Sequence, residues 1–144
     1  MFEGIEIVVV PETERMGLFE ASVTREFRAR HSILIEEGRP ENAHEHAWRF
    51  TATFRSPVLS QPQAVVVDFV QVACAMEAIA SELEGVNLND LAYFSDGMAS
   101  AERVAQYLAL RLSERMGDSS GMLYRLEVSE APGCAAAYYP RASR

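Results

Sequence analysis

The sequence of 144 residues contains no lysine, because all 13 of its Lys and Arg residues are arginine. This absence excludes enzymes that form a lysine Schiff base and phosphate-binding loops that depend on a lysine. Positive charge is also scarce, since acidic residues outnumber arginines and the formal net charge is −8. A nucleic-acid partner is therefore not expected, because phosphate binding requires a basic face.

Long apolar runs and cysteines are scarce as well. No stretch approaches the ~20 apolar residues of a membrane helix, and the run Ile7 to Val10 is too short for a signal peptide. We therefore expect a cytoplasmic protein without a membrane partner. The two cysteines, Cys74 and Cys134, predict no disulfide in a reducing compartment. Cys74 stands inside a helical pattern, which predicts a small core side chain.

Apolar residues make up 49% of the chain and charged residues 24%, a balance typical of a globular domain. Alternation with a period of two, or a helical spacing of apolar residues, marks six elements. The predicted strands are Leu18 to His31, His44 to Arg55, Met122 to Glu130 and Cys134 to Tyr139, and the predicted helices are Asp68 to Leu83 and Ser100 to about Gly117.

The order of these elements is strand, strand, helix, helix, strand, strand. It predicts a single α+β domain over residues 1–144, with two helices on one face of an antiparallel four-stranded sheet. Residues 1–16 include a short β-rich run from Gly4 to Val10, which makes this segment a candidate for an additional N-terminal strand.

All three histidines of the chain, His31, His44 and His46, fall within 16 residues. The alternation places them on the same face of two strands, so they converge if those strands are neighbours. Three imidazoles with one open position form the usual catalytic zinc site. The alternative reading is that these are satisfied core or surface histidines.

Glu130 continues the apolar row formed by Met122, Tyr124, Leu126 and Val128. A carboxylate on such a row needs a partner or awaits a ligand, because burying an unpaired charge is costly. If the strand has already ended, Glu130 is a solvated acid. The periodicity leaves both readings open.

Several motifs in order along the chain resemble one family. Phe27-Arg-Ala29-Arg-His31-Ser-Ile33 resembles its Phe-x-Ala-x-His-x-Leu, and His44-Glu-His46 resembles its His-Gly-His. Further matching segments are Val67-Asp68-Phe69, Leu88-Asn89-Asp90, Ser100-Ala-Glu102 and Val128-Ser-Glu130. The chain is thus similar to the 6-pyruvoyl-tetrahydropterin synthase and 6-carboxy-tetrahydropterin synthase family from about residue 17 to 139.

The resemblance implies a tunnelling fold (T-fold), whose subunits form an oligomeric barrel, here expected to be a hexamer with sites between subunits. It implies zinc on His31, His44 and His46. It also implies that Glu130 anchors the amino-pyrimidine edge of a pterin, with Ser100 as a second substrate-binding residue. The expected activity is that of a zinc-dependent lyase or cyclase acting on a pterin or related purine-derived heterocycle.

The chain departs from the family at its proton-transfer residues. Pro40 stands where the family has its catalytic cysteine, and Glu84-Gly85 stands where it has an Asp-His couple. Glu41, three residues before His44, resembles a branch that uses glutamate to release 6-hydroxymethyl-dihydropterin. Glu41 and Glu84 are therefore the candidate catalytic residues, although Glu41 also reads as a solvated loop acid.

Two alternatives stay open at this point. One is a catalytically degenerate zinc-binding T-fold protein that serves as a ligand-binding or assembly subunit, and the other is an α+β protein without a metal. The sequence also leaves open the exact substrate and the pathway, whether folate, deazapurine or other secondary metabolism.

Overall fold

The fold is taken from a computed structural model, which describes residues 17–140 apart from the side chains of residues 119–121. The candidate N-terminal strand within residues 1–16 lies outside this range. Among the described residues, no helix is long and apolar enough to cross a membrane.

The main elements follow the predicted order. They are β1 (Phe19–His31), β2 (Leu34–Ile35), β3 (Arg39–Pro40), β4 (His44–Ser56), α1 (Phe69–Leu83), α2 (Ala101–Met116), β5 (Leu123–Ala131) and β6 (Cys134–Tyr138). Four of the strands form one antiparallel sheet in the order β1-β4-β5-β6, while β2 and β3 pair as a small separate ribbon. Helix α1 packs on β1, and α2 packs on β5 and β6. The predicted α+β fold is confirmed.

Strands β1 and β4 form the longest ribbon, and their register sets the position of the histidines. His31 pairs with His44, and Ala29 pairs with His46. Phe27, Trp48 and Phe50 lie on the same face and are fully or almost fully buried against the helices. The period-two pattern therefore predicts the inward direction of these three side chains correctly.

Both predicted helix starts are confirmed. The Asp68 carboxylate accepts a hydrogen bond from the Val70 amide (2.9 Å), and the Ser100 hydroxyl accepts one from the Arg103 amide (3.2 Å). Such side chains satisfy backbone donors that have no partner within the helix. The predicted apolar stripes are buried: Val72, Met76, Ile79, Leu83, Val104, Leu108 and Leu112.

Two predictions about side-chain direction are wrong. Cys74 is exposed rather than in the core, because it lies two positions after Val72, roughly 200° around the helix. Met122 precedes β5 and is 42% exposed, whereas Leu123 is buried. The cause is a register shift against Thr53 and Phe54, since a bulge inserts a residue and displaces the alternation.

Candidate metal centre

A hollow of about 440 Å³ lies where β1 ends and β4 begins, on the helix-facing side of the sheet. The residues that line it come from both of these strands, the loop before β4, the start of α2, the end of β5 and the start of β6. Its polar lining consists of His31, Glu41, His44, His46, Ser100, Glu102, Glu130 and Cys134.

The three histidines converge in this hollow as the alternation predicts. The ring centroid of His31 lies 4.7 Å from that of His44 and 5.1 Å from that of His46, and His44 and His46 are 4.6 Å apart. One ring nitrogen of each lies within 4.8 Å of the others. Within residues 17–140 these three form the group that has the spacing of metal ligands.

Backbone carbonyls fix which nitrogen of each ring faces the hollow. His31 Nδ1 donates to the Ala99 carbonyl oxygen (2.7 Å), and His44 Nδ1 donates to that of Asn42 (3.1 Å). This arrangement leaves Nε2 of each neutral ring as the acceptor. A metal-binding histidine typically donates a hydrogen bond from the ring nitrogen that does not bind the metal, and this bond fixes the orientation of the ring.

The lack of hydrogen-bond partners is a second feature of these histidine nitrogens that fits a metal site. His31 Nε2 and His46 Nε2 are buried and have no hydrogen-bond partner. Burial lowers the pKa of His46 below its ordinary value, although the nearby Glu130 carboxylate raises it in part. A lowered pKa favours the neutral imidazole, which is the form that donates a lone pair to a metal.

Glu130 faces the same hollow. This agrees with the interpretation that a carboxylate on this apolar row has a partner or awaits a ligand. Its Oε1 atom lies 3.2 Å from His31 Nε2 and 3.8 Å from His46 Nε2. This oxygen is buried without a hydrogen-bond partner, although the side chain as a whole is 29% exposed. Glu130 is therefore not a solvated acid beyond the end of the strand.

Two further predicted site residues lie in the hollow. Glu41 Oε1 accepts a hydrogen bond from the Ile33 amide (3.1 Å) and lies 4.0 Å from His44 Nδ1. Ser100 lines the hollow from the first turn of α2, where its hydroxyl also caps the helix. The structure thus brings together all the predicted site residues except one.

The exception is Glu84, which does not line this hollow. It follows α1 directly, and its Oε1 accepts a hydrogen bond from the Arg28 amide (3.0 Å) on the outer edge of β1. Within one subunit, Glu84 is therefore separated from the histidines.

Buried neighbours hold the histidine-bearing strands in place. The Trp48 ring lies 4.9 Å from that of His31 and 5.8 Å from that of His46, and its Nε1 donates to the Ala29 carbonyl (3.2 Å). Asn89 accepts from the Ser32 amide (2.8 Å) and donates to the Ser32 carbonyl (3.1 Å). These two bonds fix the chain directly after His31.

Sequence reasoning missed some of these supports. It gave no role to Asn89 beyond its place in the Leu88-Asn89-Asp90 motif, which was the available signal. It also missed the Ala99 carbonyl, because a backbone acceptor leaves no trace in the residue type. Cys134 borders the hollow, a position that its place at the start of β6 did not indicate.

The family model for 6-pyruvoyl tetrahydropterin synthase matches residues 20–141 of this chain. The chain belongs to this family. No curated protein matches the sequence at a significant level. The match begins at the second residue of β1 and spans all the other strands and helices described above, so the resemblance noted from the motifs is confirmed.

Solved structures agree on the fold. The chain is similar to 6-pyruvoyl tetrahydropterin synthase of Caenorhabditis elegans, with a TM-score of 0.74 and 21% identity over 88% of this chain and 98% of that one. The Plasmodium falciparum protein of the same name gives a TM-score of 0.66 and 19% identity, covering 85% and 98%. A Plasmodium vivax variant, in which a glutamate described as catalytic is replaced by alanine, gives 0.65 and 16%, covering 85% and 98%. The predicted T-fold is thereby confirmed.

Proposed function

We propose that this protein is a zinc-dependent lyase or cyclase of the 6-pyruvoyl/6-carboxy-tetrahydropterin synthase type. Its substrate would be a pterin or a related purine-derived heterocycle. The observation that carries the proposal is the convergence of three imidazoles, two of which present buried nitrogens without a hydrogen-bond partner. Family membership supports the choice of this chemistry over that of an unrelated metal site.

His31, His44 and His46 would hold the zinc through Nε2. Three neutral imidazoles leave one position for substrate, which is the arrangement of catalytic rather than structural zinc sites. When bound, zinc supplies Lewis-acid polarisation of the substrate's oxygen atoms. The chain itself supplies the ring orientation, because the Ala99 and Asn42 carbonyls fix the tautomers of His31 and His44.

Glu130 and Ser100 would bind the heterocycle. A carboxylate accepts two hydrogen bonds from the guanidine-like edge of an aminopyrimidinone ring, and such charge-assisted pairs are strong. The volume of about 440 Å³ lies within the range of small-molecule sites. The size of the hollow and the carboxylate in it therefore both suit a single pterin ring.

Glu41 would act as the general base. It lies in the hollow beside His44, and only one of its carboxylate oxygens takes part in the contacts to Ile33 and His44. The description of a glutamate as catalytic in the P. vivax protein supports a carboxylate in this role. It would compensate for Pro40, which replaces the cysteine of the family pattern.

We also propose that the subunits assemble into a hexameric barrel. Strands β1 and β6 are the two edges of the sheet. Residues 84–86 bond to the β1 edge at Arg28 and Arg30, and long sheet edges are usually covered along their length. Light scattering at micromolar concentration should give a hexamer, and a monomer would contradict the assembly.

The decisive experiment is turnover of 7,8-dihydroneopterin triphosphate by the zinc-loaded protein, compared between wild type and Glu41→Gln. A general base contributes roughly 10²- to 10⁴-fold to a rate, so Glu41→Gln should slow turnover by that factor while retaining its zinc. Glu102→Gln, another acid of the same hollow, serves as the matched control and should stay active.

The second candidate function is a zinc-binding T-fold subunit that has lost catalysis. The observation in its favour is that Pro40 and Gly85 replace the cysteine and histidine of the family pattern. This candidate predicts that the wild type holds zinc and binds a pterin but does not turn over the triphosphate.

A further inference from the structure

Glu130 lies close to two of the histidine nitrogens that face the hollow. Its Oε1 atom is 3.2 Å from His31 Nε2 and 3.8 Å from His46 Nε2. These are the three buried polar side-chain atoms in the described residues that lack a hydrogen-bond partner. They face one another across the same hollow, which calls for a common explanation.

Hydrogen bonding does not explain this cluster. His31 Nδ1 donates its hydrogen to the Ala99 carbonyl oxygen at 2.7 Å, so Nε2 is the ring nitrogen that faces Glu130. Glu130 Oε1 lies 3.2 Å from His31 Nε2, yet neither atom has a partner in hydrogen-bond geometry. One proton bridges a single pair, whereas Glu130 Oε1 faces two imidazole nitrogens. A metal ion satisfies all three atoms together.

The spacing of these atoms fits the same conclusion. Zinc ligands lie about 2.0–2.2 Å from the ion, so two ligand atoms of a tetrahedral shell are roughly 3.4 Å apart. The distances of 3.2 and 3.8 Å from Glu130 Oε1 to His31 and His46 lie on either side of that value, whereas the group whose ligand atoms all lie within 4.8 Å of one another consists of the three histidines. Glu41 does not meet the criterion, because its Oε1 is 4.0 Å from His44 Nδ1, the nitrogen that donates to Asn42.

We propose that Glu130 is a fourth, displaceable ligand of the metal in the substrate-free protein. The inference rests on the proposed zinc site and adds a resting state to it. The carboxylate closes the position that three histidines leave open. It leaves the metal when the substrate's amino-pyrimidine edge offers it two donors. Glu130 thus has two alternating partners, the metal in the free protein and the heterocycle in the complex.

The test compares metal binding by wild type, Glu130→Gln and Glu41→Gln, measured by competition with a chromophoric chelator. Removing an outer-shell partner already weakens metal binding about 10- to 100-fold, so loss of a direct ligand should weaken zinc binding at least tenfold in Glu130→Gln. Glu41→Gln removes the same charge from the same hollow and should stay close to wild type. Equal weakening in both variants would show an effect of charge alone and overturn the ligand role.

The visible absorption of the Co²⁺-substituted protein gives a second readout, because it reports the ligand set directly. Glu130→Gln and Glu130→Asp should both differ from wild type, the latter because it keeps the charge but shortens the side chain. Adding neopterin to wild type should change the spectrum as the carboxylate leaves. Identical spectra for wild type and both variants would overturn the inference. Failure of the wild type to bind any metal would instead overturn the proposed function.

Discussion

Acidic side chains lie on both faces of the sheet, and the two faces partner them differently. On the face away from the helices, each acid of the strands has an arginine close by, often directly across the strand pair. The pairs are Glu20 with Arg55, Glu26 with Arg49, Glu45 with Arg28 and Glu127 with Arg125, at 2.6 to 3.1 Å. On the helix-facing side, Glu130 has the imidazoles of His31 and His46 as its neighbours, at 3.2 and 3.8 Å.

This difference separates structural from functional acids. An exposed carboxylate beside an arginine is satisfied in the free protein and has little reason to bind anything else. A buried carboxylate oxygen beside imidazoles is satisfied only when a cation or a ligand arrives. The candidate site is therefore identified by the groups that surround an acidic side chain, and not by the presence of an acid alone.

Two hollows in the described part of the chain show the same contrast. The larger one, of about 720 Å³, lies on the open face, and the charged side chains that line it, Glu26, Arg49 and Glu127, are all engaged in ion pairs. The smaller one contains the three unpartnered atoms of His31, His46 and Glu130. Size alone would select the wrong hollow.

The largest expected effect on stability comes from the helix-facing side, at Trp48. It is fully buried and lies under His31 and His46. Trp48→Ala should lower the free energy of unfolding of the metal-free protein by about 3–5 kcal/mol, because it leaves a large cavity. Urea denaturation measures this value. A loss below about 1 kcal/mol would mean that the floor of the site is not packed as described.

A much smaller effect is expected one residue later, on the open face. Arg49 pairs with Glu26 at 3.1 Å, and both side chains are more than half exposed. Arg49→Ala should lower the free energy of unfolding by only about 0.2–1 kcal/mol and leave metal binding unchanged. The same urea titration and a zinc determination check both points. Loss of zinc in this variant would erase the proposed distinction between the faces.

The parts of the fold that depend on local periodicity could be predicted from the sequence. The alternation along β1 and β4 places the three histidines on one face, and antiparallel pairing then brings them together. The bulge in β5 could not be predicted, because it depends on how Thr53 and Phe54 meet Leu123 across strands. The exposure of Cys74 was derivable from helical geometry, but an apolar helix such as α1 obscures which face is inward.

The candidate metal ligands of the site could be predicted from the sequence, but the groups that orient them could not. Histidine is rare in this chain, so three of them on matching faces give a clear signal. The Ala99 carbonyl that orients His31 and the proximity of Glu130 to the imidazoles depend on how α2 and β5 pack beside β1 and β4. Such distances arise only from the assembled sheet and helices.

The central claim is that His31, His44 and His46 bind zinc, and the metal content of protein purified without a histidine tag tests it most directly. Elemental analysis should find one zinc per chain in wild type and in Arg49→Ala, and almost none in His46→Ala. Zinc-free wild-type protein that does not take up zinc on addition, or full zinc retention by His46→Ala, would contradict the claim.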